Sequence, residues 1–210
     1  AATRPRQLDQ TTRHRLMNSR SQTPRWLSTL LGLSGVITAT VWGFAEGTLF
    51  FIVPDLLLTL TALFSIKRAC LQAVAVTLGA LIAGGLMFTW SSNDPATAAK
   101  AVAAVPLVTT EMPGSVQASY EDHGAGALLR GPLNGIPYKL YAIQAPEHLS
   151  LSSFLLMSIP ARLERFVGGL LLFGAIGWWQ RKRIASHPNR TVAAWGIYWA
   201  LIYLVYIFLI

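Results

Sequence analysis

Apolar residues along this chain gather into long blocks separated by short polar breaks, at residues 26–65, 70–90, 125–146, 149–180 and 191–210. An α-helix rises about 1.5 Å per residue, so about 20 apolar residues cross a hydrocarbon core of about 30 Å. The blocks at 70–90, 149–180 and 191–210 have that length and predict transmembrane helices. The forty residues at 26–65 are too many for one span and suit two limbs of a hairpin. Residues 125–146 read differently: Arg130, Lys139, Asn134, Pro132, Pro137 and three glycines interrupt the apolar run. Irregular backbone at membrane depth is tolerated only where protein or a watery cavity satisfies its polar groups, so this block predicts a re-entrant hairpin with its tip near residues 131–137.

The two halves then repeat one plan. A hairpin followed by a span occurs in residues 26–90 and again in 125–180, entering from opposite sides, as in inverted-repeat transporters whose broken segments meet near the midplane. The expected fold is an all-α integral membrane protein with two inverted re-entrant helical hairpins plus transmembrane helices. Its parts are a basic N-terminal arm at 1–25, a membrane domain at 26–180 with an external loop at 91–124, and a C-terminal transmembrane helix at 191–210.

Composition agrees with a membrane location, with 53% of the 210 residues hydrophobic and only 12% charged. The formal charge of +8 raises nucleic acid as a partner, but its placement argues against that. Arg4, Arg6, Arg13, Arg15, Arg20 and Arg25 face a single acid, Asp9, within residues 1–25, and Arg181, Lys182, Arg183 and Arg190 flank the last apolar block. Short basic clusters bordering spans mark the cytoplasmic side. With the arm, Lys67, Arg68 and the 181–190 turn inside, loop 91–124 lies outside, where Lys100 is accompanied by Asp94, Glu111, Glu121 and Asp122. The polar arm is long and the apolar run behind it exceeds a signal-peptide core, so a retained N-terminus is expected.

Seven ionisable residues fall within or beside the apolar blocks: Glu46, Asp55, Arg130, Lys139, Arg162, Glu164 and Arg165. A charge at bilayer depth costs about 2.5 to 3.5 kcal/mol on insertion scales, so each needs a partner or water. Two roles are open for Glu46 and Asp55: proton exchange during transport, or structural pairing with the basic groups. Arg162 and Arg165 lie three apart and share a helix face, where two planar forks suit a phosphate and where they equally suit snorkelling to headgroups. Pro160 before them predicts a break that places them in the first turns of a new segment. Gly79, Ala80, Ala83 and Gly84 predict close helix packing. Trp195, Tyr198, Trp199, Tyr203 and Tyr206 mark an aromatic C-terminal helix, with core packing as its expected role. Cys70 has no partner for a disulfide and reads as filler. The four histidines lack metal-ligand spacing, and no nucleophile elbow, Walker or dinucleotide motif occurs, so neither an enzyme nor a cofactor is expected.

The stretch FAEGTLFFIVPD resembles the first hairpin of DedA/VTT-domain membrane proteins, in which an acidic residue precedes a proline-centred tip. GIPYKLYAIQA followed by FLLMSIPARLERF resembles the second half of a bacterial branch, with a proline-aromatic-lysine tip before a span bearing paired arginines. The likeness covers about residues 30 to 180. Ala161-Arg162 stands where the family has glycine-arginine, and Pro54 is single where many members have two prolines. The resemblance implies a bacterial inner-membrane protein that moves lipids with phosphate or anionic headgroups across the bilayer, driven by protons. It implies proton-coupling roles for Glu46 and Asp55 and headgroup-binding roles for Lys139, Arg162, Arg165 and, less closely matched, Arg130. The second expectation is an accessory subunit of a larger membrane complex that keeps this fold; as partners, membrane lipids and either a homo-oligomer or such a complex are expected.

Overall fold

The computed structural model describes residues 24–131 and 134–209, and every regular element among them is helical. Helix α1 (Arg25–Leu31) meets α2 (Leu33–Gly47) at Gly32 with a bend of 62°. An irregular tip leads to α3 (Asp55–Phe64), followed by α4 (Ile66–Asn93), α5 (Pro95–Ala103), α6 (Met112–His123), a 3-10 turn and α7 (Ala127–Arg130). After residues 132–133 come α8 (Tyr138–Gln144), a second 3-10 turn, α9 (Leu151–Trp179), α10 (Arg181–Ser186) and α11 (Pro188–Leu209). The arm expected at 1–25 lies outside the described residues up to Thr23, as does part of the second hairpin tip.

Two helices, α4 and α11, are long and apolar enough to cross a membrane, and the bent pair α1–α2 makes a third if it counts as one span. The chain is therefore read as a membrane protein. At 29 residues α9 is longer than either, but Arg162, Glu164 and Arg165 interrupt its apolar character. In contrast α3 has 10 residues and α8 only 7, too short to cross.

The distribution of side-chain size is that of a protein in lipid. On α2, Gly35, Ala39, Gly43 and Gly47 point inward at four-residue spacing, while Leu33, Ile37, Val41 and Phe44 point outward. On α4, Ala69, Ala73, Val76, Ala80 and Ala83 are buried, and Leu71, Val74, Leu78, Ile82 and Leu86 are exposed. Lipid tails are as apolar as leucine, so large side chains gain little by turning inward, whereas small ones let backbones approach and gain dispersion contacts. The closest approach is at Gly43 and Gly79. A Cβ on Gly43 would strike the Val76 carbonyl, and one on Gly79 would strike the Thr40 carbonyl. Gln72 donates to the Leu30 carbonyl at 2.8 Å, satisfying a group freed by the bend before Gly35.

Two apolar cores result. One joins α2, α3, the first half of α4 and Phe166, Leu170 and Phe173 of α9. The other joins Met87 of α4, α5, α6, α8 and Phe154 and Ala161 of α9. Helices α4 and α9 run antiparallel through both, and Arg162 sits on α9 where one core gives way to the other.

One expectation, the break at Pro160, needs correction, and two segments gain detail. The segment 91–124 is mostly helical and builds the second core through Ala98, Val102, Val116 and Tyr120. Local chemistry explains it: the Asp94 side chain accepts from the Thr97 N–H at 3.1 Å, with Pro95 opening α5, and Pro113 lies in the first turn of α6. The same hydrogen bonding to Thr97 holds the Asp94 carboxyl below the usual carboxylate range. Pro160 does not break α9, which runs on through it; the proline lies on the exposed face of the helix, and proline is tolerated in membrane helices where neighbouring groups satisfy the freed backbone. The limits of the long helices also shift, α4 starting at Ile66 because Ser65 caps it, its side chain accepting from the Arg68 N–H.

Leu107 has φ of 70°, in the left-handed region. It follows Pro106 in a tight turn closed by the Val108 N–H on the Val105 carbonyl, a place that favours glycine. Leu107→Gly is expected to raise stability by about 1 kcal/mol through relief of that strain, read as a higher melting temperature in detergent.

Candidate functional site

The site begins with two helix ends of opposite polarity. Glu46 lies in the last turn of α2, where unpaired carbonyls already concentrate negative potential, and Asp55 is the first residue of α3, where the helix dipole favours an anion. Glu46 thus needs a counter-charge more than Asp55 does. Arg162 provides it as a buried ion pair through Nη2, with both side chains under 5% exposed. One turn along α9, Arg165 reaches Asp55 Oδ2 from Nη2 at 3.2 Å and from Nε at 3.3 Å, in a half-buried setting. The pairing follows from the three-residue spacing, which puts both guanidinium groups on the face of α9 that meets the first hairpin.

Tyr138 and Lys139 open α8 behind Pro137. The Tyr138 ring lies under Arg162, with Cζ 4.6 Å from the ring centroid, and its hydroxyl donates to Ser158 Oγ at 2.9 Å. Stacking on a π-face suits a desolvated guanidinium. The Arg162 Nε donor has no partner among the described residues. Lys139 is 2% exposed and donates from Nζ to the Phe50 carbonyl at 2.7 Å. It has no carboxylate within ion-pair distance among the described residues.

The tip between α2 and α3 is irregular backbone held by side chains from three elements. Trp42 Nε1 donates to the Ile52 carbonyl at 2.9 Å, Lys139 caps Phe50, and the Val53 N–H donates to Tyr203 Oη at 3.1 Å. Each group so satisfied would otherwise carry the cost of an unmet hydrogen bond. Sequence separation hid all of these partners.

A cavity of about 260 Å³ opens beside the cluster. Glu46, Lys139 and Arg165 give it charge; Phe51, Val53 and the turn from Val105 to Leu107 line one part, and Trp199, Ile202, Tyr203 and Tyr206 of α11 line another. Counting the five grouped ions, three cations face two carboxylates, leaving one positive charge in excess.

The structure therefore brings together Glu46, Asp55, Lys139, Arg162 and Arg165 from four helices, α2, α3, α8 and α9. Arg130 is not among them: it ends α7, is exposed, and does not line the cavity. Glu164 is likewise exposed on another face of α9. Trp199, Tyr203 and Tyr206, for which core packing was expected, instead lie on a helix that is not buried and line the cavity; their four- and three-residue spacing on one helix face was the available signal.

These features define the class of the protein: an all-helical membrane protein with a buried charge cluster beside a part-aromatic cavity. Comparison with protein-family models, curated proteins and solved structures gives no match.

Proposed function

We propose that this protein is a membrane lipid translocase of the DedA/VTT kind, with α3 and α8 as limbs of two opposed re-entrant hairpins. The cavity receives a phosphate or other anionic headgroup at Lys139 and Arg165, while the lipid chains stay in the bilayer. Glu46 and Asp55 exchange protons as the arginines release them. A bacterial inner membrane and a cytoplasmic N-terminus complete the proposal, resting on the motif resemblance and the placement of basic clusters. The observation that carries it is the excess positive charge at a cavity bounded by apolar and aromatic walls.

Reconstitution into liposomes tests the proposal by following labelled polyprenyl phosphate and phospholipid from one leaflet to the other under a proton gradient. Asp55→Asn and Lys139→Met are each expected to slow movement by about tenfold or more, since a hydrogen bond to a charged group is worth about 1.5 to 3 kcal/mol. Wild-type movement no faster than in empty liposomes sinks the proposal.

A second reading is an accessory subunit of a larger membrane complex. It is favoured by one observation, that both carboxylates are already paired with arginines and the Glu46–Arg162 pair is closed off from solvent. Extraction in mild detergent and sizing separates the two: comigration with partners in fixed ratio supports the subunit, and a monomer or homodimer opposes it.

A further inference from the structure

Helix α11 lies beyond residues 30–180, which carry the family resemblance, and most of its surface is apolar and exposed: Ile197, Leu201, Leu204, Val205 and Phe208 all face outward. Its other face is built to a register. Trp195 and Trp199 both donate from Nε1 to Thr59 Oγ1 at 3.1 Å, and Thr59 Oγ1 donates to the Asp55 carbonyl at 2.6 Å. A hydroxyl has one donor and two acceptor sites, so this one is saturated. The two tryptophan bonds fix α11 against α3 beside Asp55. One turn beyond Trp199, that register sets Tyr203 at the hairpin tip.

There Tyr203 Oη accepts the Val53 N–H, which uses one lone pair and leaves the phenol O–H free to donate. No acceptor for it occurs among the described residues. Tyr203 lines the same cavity as Lys139 and Arg165. Lys139 spends one of its three N–H groups on Phe50, and Arg165 turns Nε and Nη2 to Asp55, so both keep donors for an occupant. Tyr203 differs from them in kind: it adds direction without adding charge.

We propose that Tyr203 is a specificity-determining residue of the anion site, donating its O–H to an oxygen of a phosphate headgroup held between Lys139 and Arg165, with Trp199, Ile202 and Tyr206 as the apolar wall beside the chains. This rests on the headgroup-binding reading above. The site is then incomplete without α11, and its ligand is an amphiphile carrying a phosphate.

The test compares phosphatidic acid with diacylglycerol of the same chains, binding to the full-length protein in detergent. Wild type is expected to prefer phosphatidic acid, and Tyr203→Phe to lose about tenfold of that preference, with diacylglycerol binding unchanged. Tyr198→Phe, on the exposed face of the same helix and outside the cavity, keeps it. Equal weakening toward both lipids makes Tyr203 a packing residue only, and an unchanged preference also overturns its role; absence of preference in wild type overturns the headgroup reading with it. Should Tyr203→Phe not fold, 3-fluorotyrosine at position 203 of the otherwise intact protein gives the same answer. Its fluorine resonance is expected to shift with phosphatidic acid and not with diacylglycerol, and an identical response to both overturns the proposal.

Discussion

Arg162→Ala is expected to destabilise the protein by about 3 to 5 kcal/mol, the usual cost of stranding one member of a buried ion pair. The loss exceeds that of any exposed arginine because Glu46 would be left without its counter-charge at the carbonyl end of α2, and Tyr138 without the cation over its ring. Glu46→Gln alone is expected to strand Arg162 in the same way. Combining Glu46→Gln with Arg162→Met removes both charges at similar volume and is expected to recover most of the stability, because such replacements are often neutral. Thermal unfolding followed by tryptophan fluorescence checks the three variants. The double variant also separates the two roles of the pair. If it folds and moves lipid at the wild-type rate, the pair is a structural pin; the translocase proposal expects it to fold and move none.

Gly79→Leu is expected to have an effect of comparable size by a different route. A Cβ at Gly79 already meets the Thr40 carbonyl and lies 2.9 Å from the Phe44 N, both fixed backbone atoms of α2. Even Gly79→Ala forces α2 away from α4 and is expected to cost about 1 to 3 kcal/mol as overpacking. The leucine separates the helices along their whole contact, carrying Glu46 away from Arg162. Loss of a monodisperse peak in size-exclusion chromatography, with Gly85→Leu as the control, checks this; Gly85 has a single contact, 3.9 Å from the Leu155 side chain.

Much of this organisation was legible before any coordinates. Ionisable groups in apolar blocks had to find partners, and four of them, Glu46, Asp55, Arg162 and Arg165, did so with one another. Which acid meets which arginine was not legible. The partners lie 116 and 110 residues apart, and the choice depends on where α9 crosses the ends of α2 and α3. Arg130 and Lys139 flank one broken segment in the sequence, and both were candidates for headgroup binding, Arg130 the less closely matched. The break puts Arg130 at the exposed end of α7 and Lys139 in the core, a difference of direction rather than composition. The helices within residues 91–124 were signalled by Asp94-Pro95 and by Pro113, but low hydropathy masked that local chemistry.

By itself the sequence determined that the chain is helical and belongs in a membrane, because block length and hydropathy are summed over about 20 residues and survive any detail of packing. It also determined which charges needed company. The tertiary structure alone decided the pairs, the cavity and the part of α11 in it. Those depend on contacts between residues more than a hundred positions apart: Tyr203 reaches the tip only because two tryptophans share the Thr59 hydroxyl, which no local pattern encodes.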